Sequence, residues 1–206
     1  MIVIVNYGLG NLGSIKNMLR KLGHASEISS DPLLIQNATK LILPGVGAFD
    51  TGMINLSKLG LIEILNHKVL IEKTPVLGIC LGAQLMTRRS EEGVLEGLKW
   101  FDAELLSFKK RFPIDQARPV PNMGWIDVQV KKASKILENL PNESRFYFVH
   151  SFFIKSYEQK DILLESNYGF DYVSALEREN MVGVQFHPEK SHKFGFQLLK
   201  NFIEKY

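Results

Sequence analysis

The stretch Pro75-Val76-Leu77-Gly78-Ile79-Cys80-Leu81-Gly82-Ala83-Gln84 decides the fold of this chain. Residues 76–79 are a short apolar run that predicts a buried strand, and the residues after Cys80 predict a helix. Cys80 would then lie on a tight strand-to-helix turn, the geometry of a nucleophile elbow. Glycines on both sides of the cysteine remove the Cβ clashes of such a turn. A helix N-terminus favours the thiolate, which is the form that attacks carbonyl carbons.

Cys80 also has a simpler interpretation. It is the only cysteine among the 206 residues, and single cysteines often act as small buried hydrophobes. One cysteine excludes an internal disulfide and a cysteine-rich metal site, so we expect no metal and a reducing, cytoplasmic setting. The stretch alone leaves both a reactive and a structural cysteine open.

Composition and charge argue against two classes of partner. No apolar run approaches the length that spans a bilayer, and residues 1–5 are too short for the apolar part of a signal peptide. The net charge is only +3, and no nucleic-acid-binding motif accompanies the basic cluster at residues 109–111. We therefore expect neither a membrane nor a nucleic acid as partner.

Apolar runs alternate with helical patterns in the first half of the chain. Four short strands are predicted, at residues 2–5, 25–28, 40–43 and 76–79. The first is apolar throughout, as expected of a parallel-sheet strand covered on both faces. A helical pattern between the first two ends at Gly23, and Asp31-Pro32 is typical of a helix start. This alternation predicts βαβ units with right-handed crossovers.

The pattern changes after Gly93. Shorter strand candidates, some of them alternating, occur at residues 103–108, 125–130, 145–150, 162–165 and 181–186. A final helix is predicted from about Ser191, with core-facing apolar residues at four-residue spacing. We predict one α/β domain over residues 1–206, with a doubly wound, mostly parallel central sheet and an added antiparallel β region.

The glycines Gly8, Gly10 and Gly13 form the pattern G-x-G-x-x-G between the first predicted strand and a helix. Asp31 follows at roughly the distance of a ribose-binding acid, so a dinucleotide-binding oxidoreductase is one hypothesis. Against it, Asp31 is predicted to cap a helix, whereas the acid should end the second strand. The alternative is a plain tight turn.

His187-Pro188-Glu189 follows the predicted strand at residues 181–186. Proline disfavours a helical conformation at the residue before it, and side chains two apart in an extended segment point the same way. A carboxylate beside an imidazole fixes its tautomer and stabilises the imidazolium. The carboxyl ends of parallel strands gather at one edge of such a sheet, so we expect His187 and Glu189 to lie near Cys80. These residue types are the nucleophile (Cys80), the base (His187) and the orienting carboxylate (Glu189) of acyl-transfer chemistry.

The stretch Pro44-Gly45-Val46-Gly47 also follows a predicted strand, so we expect it at the same edge. Its glycines allow a backbone N–H of Val46 or Gly47 to turn toward a tetrahedral oxygen, with the N–H of Leu81 as the second donor. The simpler interpretation is a loop with turn glycines.

With these three motifs, the sequence resembles the class I, triad-type glutamine amidotransferases over essentially its full length. Within them it is most similar to the glutaminase subunits of imidazole glycerol phosphate synthases. The stretches that carry the resemblance are Asn6-Tyr-Gly-Leu-Gly-Asn-Leu-Gly-Ser14, Pro44-Gly-Val-Gly47, Gly78-Ile-Cys-Leu-Gly-Ala-Gln84, Ser90-Glu-Glu-Gly93, Met123-Gly-Trp125, Tyr147-Phe-Val-His-Ser151 and Gly183-Val-Gln-Phe-His-Pro-Glu-Lys-Ser191.

The resemblance implies a role for each matching residue. Cys80, His187 and Glu189 would be the catalytic triad, and the glycine-rich turn at Gly8 would hold no nucleotide or other cofactor. Residues expected around bound L-glutamine are Gly45, Gln84, Glu92, His150 and Ser151. Residues expected at a subunit interface are Asn11, Met123, Trp125, Tyr147 and Lys190.

The implied reaction is hydrolysis of L-glutamine to glutamate and ammonia through a γ-glutamyl thioester. The ammonia would pass to a separate (β/α)8 barrel cyclase subunit in a heterodimer, which performs a step of histidine biosynthesis.

One departure from the family pattern concerns the acceptor of the ammonia. Pro121-Asn-Met-Gly-Trp-Ile126 stands where the histidine-pathway subunits usually read Pro-His-Met-Gly-Trp-Asn. Gly97-Leu-Lys-Trp-Phe-Asp-Ala103 is similar to paralogous glutaminases that supply sugar-amidating enzymes in surface-glycan pathways. A sugar-amidating partner is therefore the alternative to the cyclase.

Overall fold

The structure is a computed structural model that describes residues 1–112 and 118–206. Its strands are β1 (Ile2–Val5), β2 (Ser26–Ser29), β3 (Lys40–Gly45), β4 (Val76–Cys80), β5 (Ala103–Ser107), β6 (Asn122–Asp127), β7 (Gln129–Val130), β8 (Arg145–His150), β9 (Phe152–Ser156), β10 (Ile162–Asn167), β11 (Asp171–Arg178) and β12 (Met181–Val184). Its α-helices are α1 (Leu12–Lys21), α2 (Pro32–Gln36), α3 (Phe49–Lys58), α4 (Leu61–Asn66), α5 (Leu81–Leu85) and α6 (His192–Lys205). A π-helical segment, His67–Ile71, extends α4, and short 3-10 turns are Phe108–Lys110, Lys135–Leu137, Gln159–Asp161 and Pro188–Lys190.

The central sheet has the order β2-β1-β3-β4-β12-β11-β10-β7, and β9 joins it by pairing with β11 and β5. The first five strands of this order are parallel, while β11, β10 and β7 run antiparallel to their neighbours. Strands β6 and β8 form a separate antiparallel pair. The predicted fold class, a mostly parallel sheet with an added antiparallel region, is confirmed.

Both faces of β1 are covered, as its fully apolar sequence requires. Ile2 and Ile4 of β1 pack into one apolar cluster with residues of α1 and α6. Val3 and Val5, which point the other way, join a second cluster with residues of α3 and α4. The sheet is therefore the middle layer between two sets of helices, and the carboxyl ends of its parallel strands meet at one edge.

Several predicted boundaries were wrong. The third strand runs on to Gly45, so Pro44 and Gly45 are strand residues and not a loop. The predicted strand at residues 125–130 is divided, because the chain leaves the β6–β8 pair at Val128 and β7 joins β10. The strand predicted at residues 181–186 ends at Val184.

Three elements were not predicted from the sequence, α3, β9 and β11. The α3 helix contains Gly52, which lowers helix propensity but lets Leu85 of α5 approach closely. β11 ends in Glu177 and Arg178, which obscure its apolar pattern. Both charged side chains are paired, with Lys132 and Asp161, so the strand keeps them without an unpaired charge. The single domain over residues 1–206 stays a prediction.

None of the helices that the described residues form combines the length and the apolar composition needed to cross a bilayer.

Candidate active site

Cys80 is the last residue of β4 and directly precedes α5. Its backbone angles are φ 52° and ψ −110°, a region that residues with a Cβ rarely adopt. The turn is held against β3, where Gly45 pairs with Cys80. A Cβ on Gly82 would lie 1.6 Å from the carbonyl oxygen of Leu43, so glycine is required there. The predicted elbow geometry is present.

His187 and Glu189 are in direct contact. Nδ1 of His187 lies 2.8 Å from Oε1 of Glu189, and both side chains are buried. Nδ1 therefore carries the proton that the carboxylate accepts, which leaves Nε2 as the free nitrogen. Nε2 is buried and has no hydrogen-bond partner among the described residues. The arrangement leaves one nitrogen available for proton transfer with a neighbouring group.

Charge around His187 favours its protonated form. Burial alone would lower the pKa of its imidazole, but the adjacent Cys80 sulfur and the Glu189 carboxylate outweigh burial. Together they raise the pKa of His187 from 6.5 to about 10. A raised pKa of this kind is typical of an imidazolium that lies between a cysteine sulfur and a carboxylate.

The turn that carries His187 is held by hydrogen bonds to Tyr147 of β8 and to Ser191, which directly precedes α6. Glu189 lies in the 3-10 turn Pro188–Lys190, so the expected extended segment was the wrong explanation for the contact with His187. The His187 N–H donates to the carbonyl of Tyr147 at 2.9 Å. The Ser191 hydroxyl donates to the carbonyl of His187 at 2.6 Å and accepts from the Tyr147 N–H at 2.9 Å.

A cavity of about 300 Å³ opens beside Cys80. Its size suits a small-molecule ligand. The residues that line it are Val46, Gly47, Cys80, Leu81, Gln84, Glu92, Pro121, Val149, His150, Ser151 and Phe152. Of the predicted oxyanion and substrate residues, Gly45 alone is absent from this lining, because it lies behind it against Leu81 and the hydroxyl of Tyr7.

The backbone expected to bind an oxyanion borders the same cavity. Gly47 has φ +118°, a conformation natural to glycine. Leu81 is the first residue of α5, so its N–H has no acceptor within the helix. Across the cavity, Oε2 of Glu92 accepts the Phe49 N–H at the start of α3 at 2.8 Å, which fixes this carboxylate in the wall. The oxyanion role of Val46, Gly47 and Leu81 stays a prediction.

His150 belongs to a buried polar network with Asn122 and Tyr172. Nδ1 of His150 lies 2.7 Å from the carbonyl of Phe152 and so carries the proton. Nε2 then accepts from the Asn122 amide at 3.1 Å, and the same amide lies 3.1 Å from the hydroxyl of Tyr172. Burial lowers the pKa of His150 from 6.5 to about 4. Asn122 thus holds a neutral His150 of fixed tautomer in the cavity wall.

This neutral histidine makes stability depend on pH. The folded pKa of His150 lies below its unfolded value, so between pH 6.5 and about 4 the unfolded chain binds more protons at this group. Its contribution is complete above pH 6.5 and is lost as the pH falls toward 4. We expect the wild type to lose about 2–3 kcal/mol more unfolding free energy over this range than His150→Gln, as measured by urea denaturation. Parallel curves for the two proteins would contradict this.

The glycines of the G-x-G-x-x-G pattern lack two features of a dinucleotide site. A Cβ on Gly13 would meet nothing within 4 Å, so this glycine mediates no close helix–strand contact. Asp31 caps α2 by accepting the Leu33 N–H at 2.8 Å, as expected from the sequence. Gly10 instead lies against the backbone of Gly45. The glycine-rich turn supports the strand that borders the cavity.

Four of the predicted interface residues lie together at the surface, next to the turn that carries His187: Met123, Trp125, Tyr147 and Lys190. With the neighbouring His192 they form what we call the β6–β8 patch. Met123 and Trp125 are 60% and 42% exposed. The Trp125 ring stacks on His192 at 5.5 Å, and Nζ of Lys190 lies 5.7 Å from the centre of the Tyr147 ring. Asn11, also exposed, directly precedes α1, which packs against the turn Pro188–Lys190. Their role as an interface stays a prediction.

Sequence reasoning missed two residues beside the elbow. The Nε2 group of Gln185 lies 3.7 Å from Sγ of Cys80, and Gln185 is fully buried. The only sequence signal was an amide within an otherwise apolar run. The hydroxyl of Tyr7 is also buried, without a hydrogen-bond partner among the described residues, next to Gly45. Burial and the nearby Cys80 raise the pKa of Tyr7, so it stays neutral.

Known proteins match this chain over nearly its full length. The family model "Glutamine amidotransferase class-I" matches residues 3–206. The chain is 52% identical to imidazole glycerol phosphate synthase subunit HisH 2 of Methanococcus maripaludis, over 100% of both chains. It is 48% identical to the subunit HisH 2 of Pseudomonas aeruginosa, over 99% of both chains.

A solved structure shares the fold at much lower sequence identity. A crystal structure of a glutamine amidotransferase superimposes with a TM-score of 0.74 at 19% identity, covering 99% of this chain and 98% of the other. Likeness at this identity speaks for the fold alone. The family model and the two HisH relatives span the sequence from end to end, and this chain belongs to the class-I glutamine amidotransferases.

Proposed function

We propose that this chain is the glutaminase subunit of an imidazole glycerol phosphate synthase. The observation that carries the proposal is the 52% identity to a subunit of that enzyme over the whole of both chains. The contact between His187 and Glu189, with Cys80 on a strained elbow beside them, supports glutaminase chemistry. L-Glutamine is the proposed substrate.

The proposed reaction begins with the Cys80 thiolate. Its sulfur attacks the γ-carboxamide carbon of glutamine, and the carbonyl oxygen takes up the negative charge next to the N–H groups of Gly47 and Leu81. The C–N bond then breaks, and the leaving nitrogen takes a proton from His187 to depart as ammonia. Water, deprotonated by His187, attacks the γ-glutamyl thioester and releases glutamate and the thiolate. Glu189 keeps the imidazole oriented throughout.

Residues of the cavity wall would hold the amino acid. Glu92 lines the cavity with a carboxylate already fixed by the Phe49 N–H, so it is suited to bind the α-ammonium group of glutamine. The neutral His150 adds no positive charge next to the leaving ammonia. Its neighbour Ser151 offers a hydroxyl at the same wall.

We propose that the ammonia passes to a (β/α)8 barrel cyclase subunit bound at the β6–β8 patch, in the cytoplasm. This patch adjoins the triad, because the Tyr147 carbonyl accepts the His187 N–H. Exposed aromatic side chains such as Trp125 are typical anchors of interfaces. A partner that moves Tyr147 would therefore move the catalytic histidine.

A sugar-amidating partner is the second candidate. The observation that favours it is Asn122, which replaces the histidine usual in histidine-pathway subunits and lies buried against His150. Because Asn122 is buried, it would act through His150 and not by touching the partner.

The test is a glutaminase assay of the purified subunit alone and with each candidate partner. We expect low turnover alone and a rise of roughly 10- to 100-fold with the cyclase, since binding at the patch couples to His187. Trp125→Ala should weaken cyclase binding by at least about 10-fold, whereas Leu33→Ala, which removes an exposed apolar side chain outside the patch, should not. Activation by the sugar-amidating partner alone would replace the cyclase proposal, and full turnover without any partner would contradict coupling.

A further inference from the structure

Cys80 and Gln185 lie side by side at the ends of two parallel strands. β4 and β12 are paired up to Ile79 and Val184, which places the next residues, Cys80 and Gln185, opposite each other. The Gln185 N–H donates to the carbonyl of Ser174, so the residue is held by the sheet although β12 has ended. Its side chain is 0% exposed and its amide nitrogen lies 3.7 Å from the sulfur.

The orientation of the Gln185 amide is fixed by a second glutamine. Its Oε1 accepts from Nε2 of Gln84 at 3.0 Å. Since an amide oxygen only accepts and the nitrogen only donates, this bond turns the nitrogen of Gln185 toward Cys80. The reversed amide would place an oxygen against the thiolate sulfur and a nitrogen against the Gln84 donor, and both contacts would be repulsive.

Gln84 connects this pair to the cavity. It is the fourth residue of α5, the short helix that begins directly after Cys80. Its side chain is buried and also lines the cavity proposed for glutamine. The Gln84 amide thus contacts the Gln185 amide, which in turn contacts the sulfur of Cys80 from the side of β12.

We propose that Gln185 is a further residue of the catalytic site, which donates a hydrogen bond to the Cys80 thiolate, and that Gln84 is the positioning residue that orients it. The proposal rests on the proposed role of Cys80 as nucleophile. A donor to sulfur favours the thiolate over the neutral thiol. It also favours expulsion of the thiolate when water has added to the thioester, because the hydrogen bond is stronger to a charged sulfur than to a neutral one.

The other titratable groups near the sulfur do not interfere with a comparison of the pH dependence of Cys80 reactivity between variants. His187, on the turn after β12, has a raised pKa and is common to every variant below. Tyr7, from the end of β1, has a raised pKa and stays neutral. His150, at the end of β8, has a pKa of about 4 and is already neutral at mild acidity.

The test measures the pH profile of Cys80 alkylation by iodoacetamide, without glutamine or partner. Because Cys80 is the only cysteine, loss of free thiol reports this residue alone. We expect Gln185→Met, which keeps the volume but removes the donor, to move the profile upward by roughly one pH unit, or about tenfold in rate on its acid side. Gln84→Met, which leaves the strand end untouched, should give a smaller shift in the same direction.

Ser174→Ala is the matched control. Ser174 is buried on the strand beside Gln185, and its hydroxyl has no hydrogen-bond partner among the described residues. Its profile should equal that of the wild type. An unchanged profile in Gln84→Met and in folded Gln185→Met, or an equal shift in Ser174→Ala, would overturn the proposal. Failure of the glutaminase proposal would appear separately, as a wild type that is alkylated normally but does not hydrolyse glutamine.

Discussion

Replacing Cys80 by alanine should reduce glutamine hydrolysis by at least about 10⁴-fold, because no other residue can form the thioester. The variant should still bind its partner, and free ammonia should still support the partner's reaction. Glutamate release in a coupled assay and product formation with an ammonium salt measure the two activities. Glutamine hydrolysis comparable to that of the wild type would refute the mechanism.

Cys80→Gly separates loss of chemistry from loss of fold. It removes the same thiol, so it should be as inactive as Cys80→Ala. Glycine adopts φ 52°, ψ −110° without strain, whereas alanine carries the Cβ that makes this region unfavourable. We therefore expect Cys80→Gly to be more stable than Cys80→Ala by about 1–2 kcal/mol, which reverses the usual order of these residues. A more stable alanine variant would show that the elbow is not strained.

Gly82→Ala should cause the second large effect, on stability. The added methyl group would lie 1.6 Å from the Leu43 carbonyl oxygen. Because this oxygen belongs to the backbone of β3, no side-chain rotation can relieve the clash. We expect a loss of at least about 3 kcal/mol of unfolding free energy in urea denaturation, together with loss of glutaminase activity because the elbow is displaced.

Gly13→Ala is the control for that change. Gly13 lies within α1, where a Cβ would meet nothing within 4 Å. Alanine there should raise the unfolding free energy by about 0.5–1 kcal/mol through helix propensity, with glutaminase activity unchanged. Equal destabilisation at both sites would contradict the close approach of Gly82 to β3.

Local patterns predicted the parallel half of the fold well. Strands buried on both faces must be apolar throughout, so β1 and β4 could be recognised from composition alone. The elbow could be predicted because its glycines are required within a few residues of Cys80. The antiparallel half was harder, since β11 carries paired charges and the chain changes sheets at Val128. These features depend on partners distant in sequence.

The sequence by itself determined the fold class and the three motifs at one sheet edge, because each depends on neighbouring residues and on the rule that parallel strand ends gather together. Only the tertiary structure decided how these motifs meet. It placed the cavity, the buried Asn122–His150 contact and the Gln185 amide at the sulfur of Cys80. Such contacts join residues 28 and 105 positions apart, and no local pattern encodes which buried amide will face which atom.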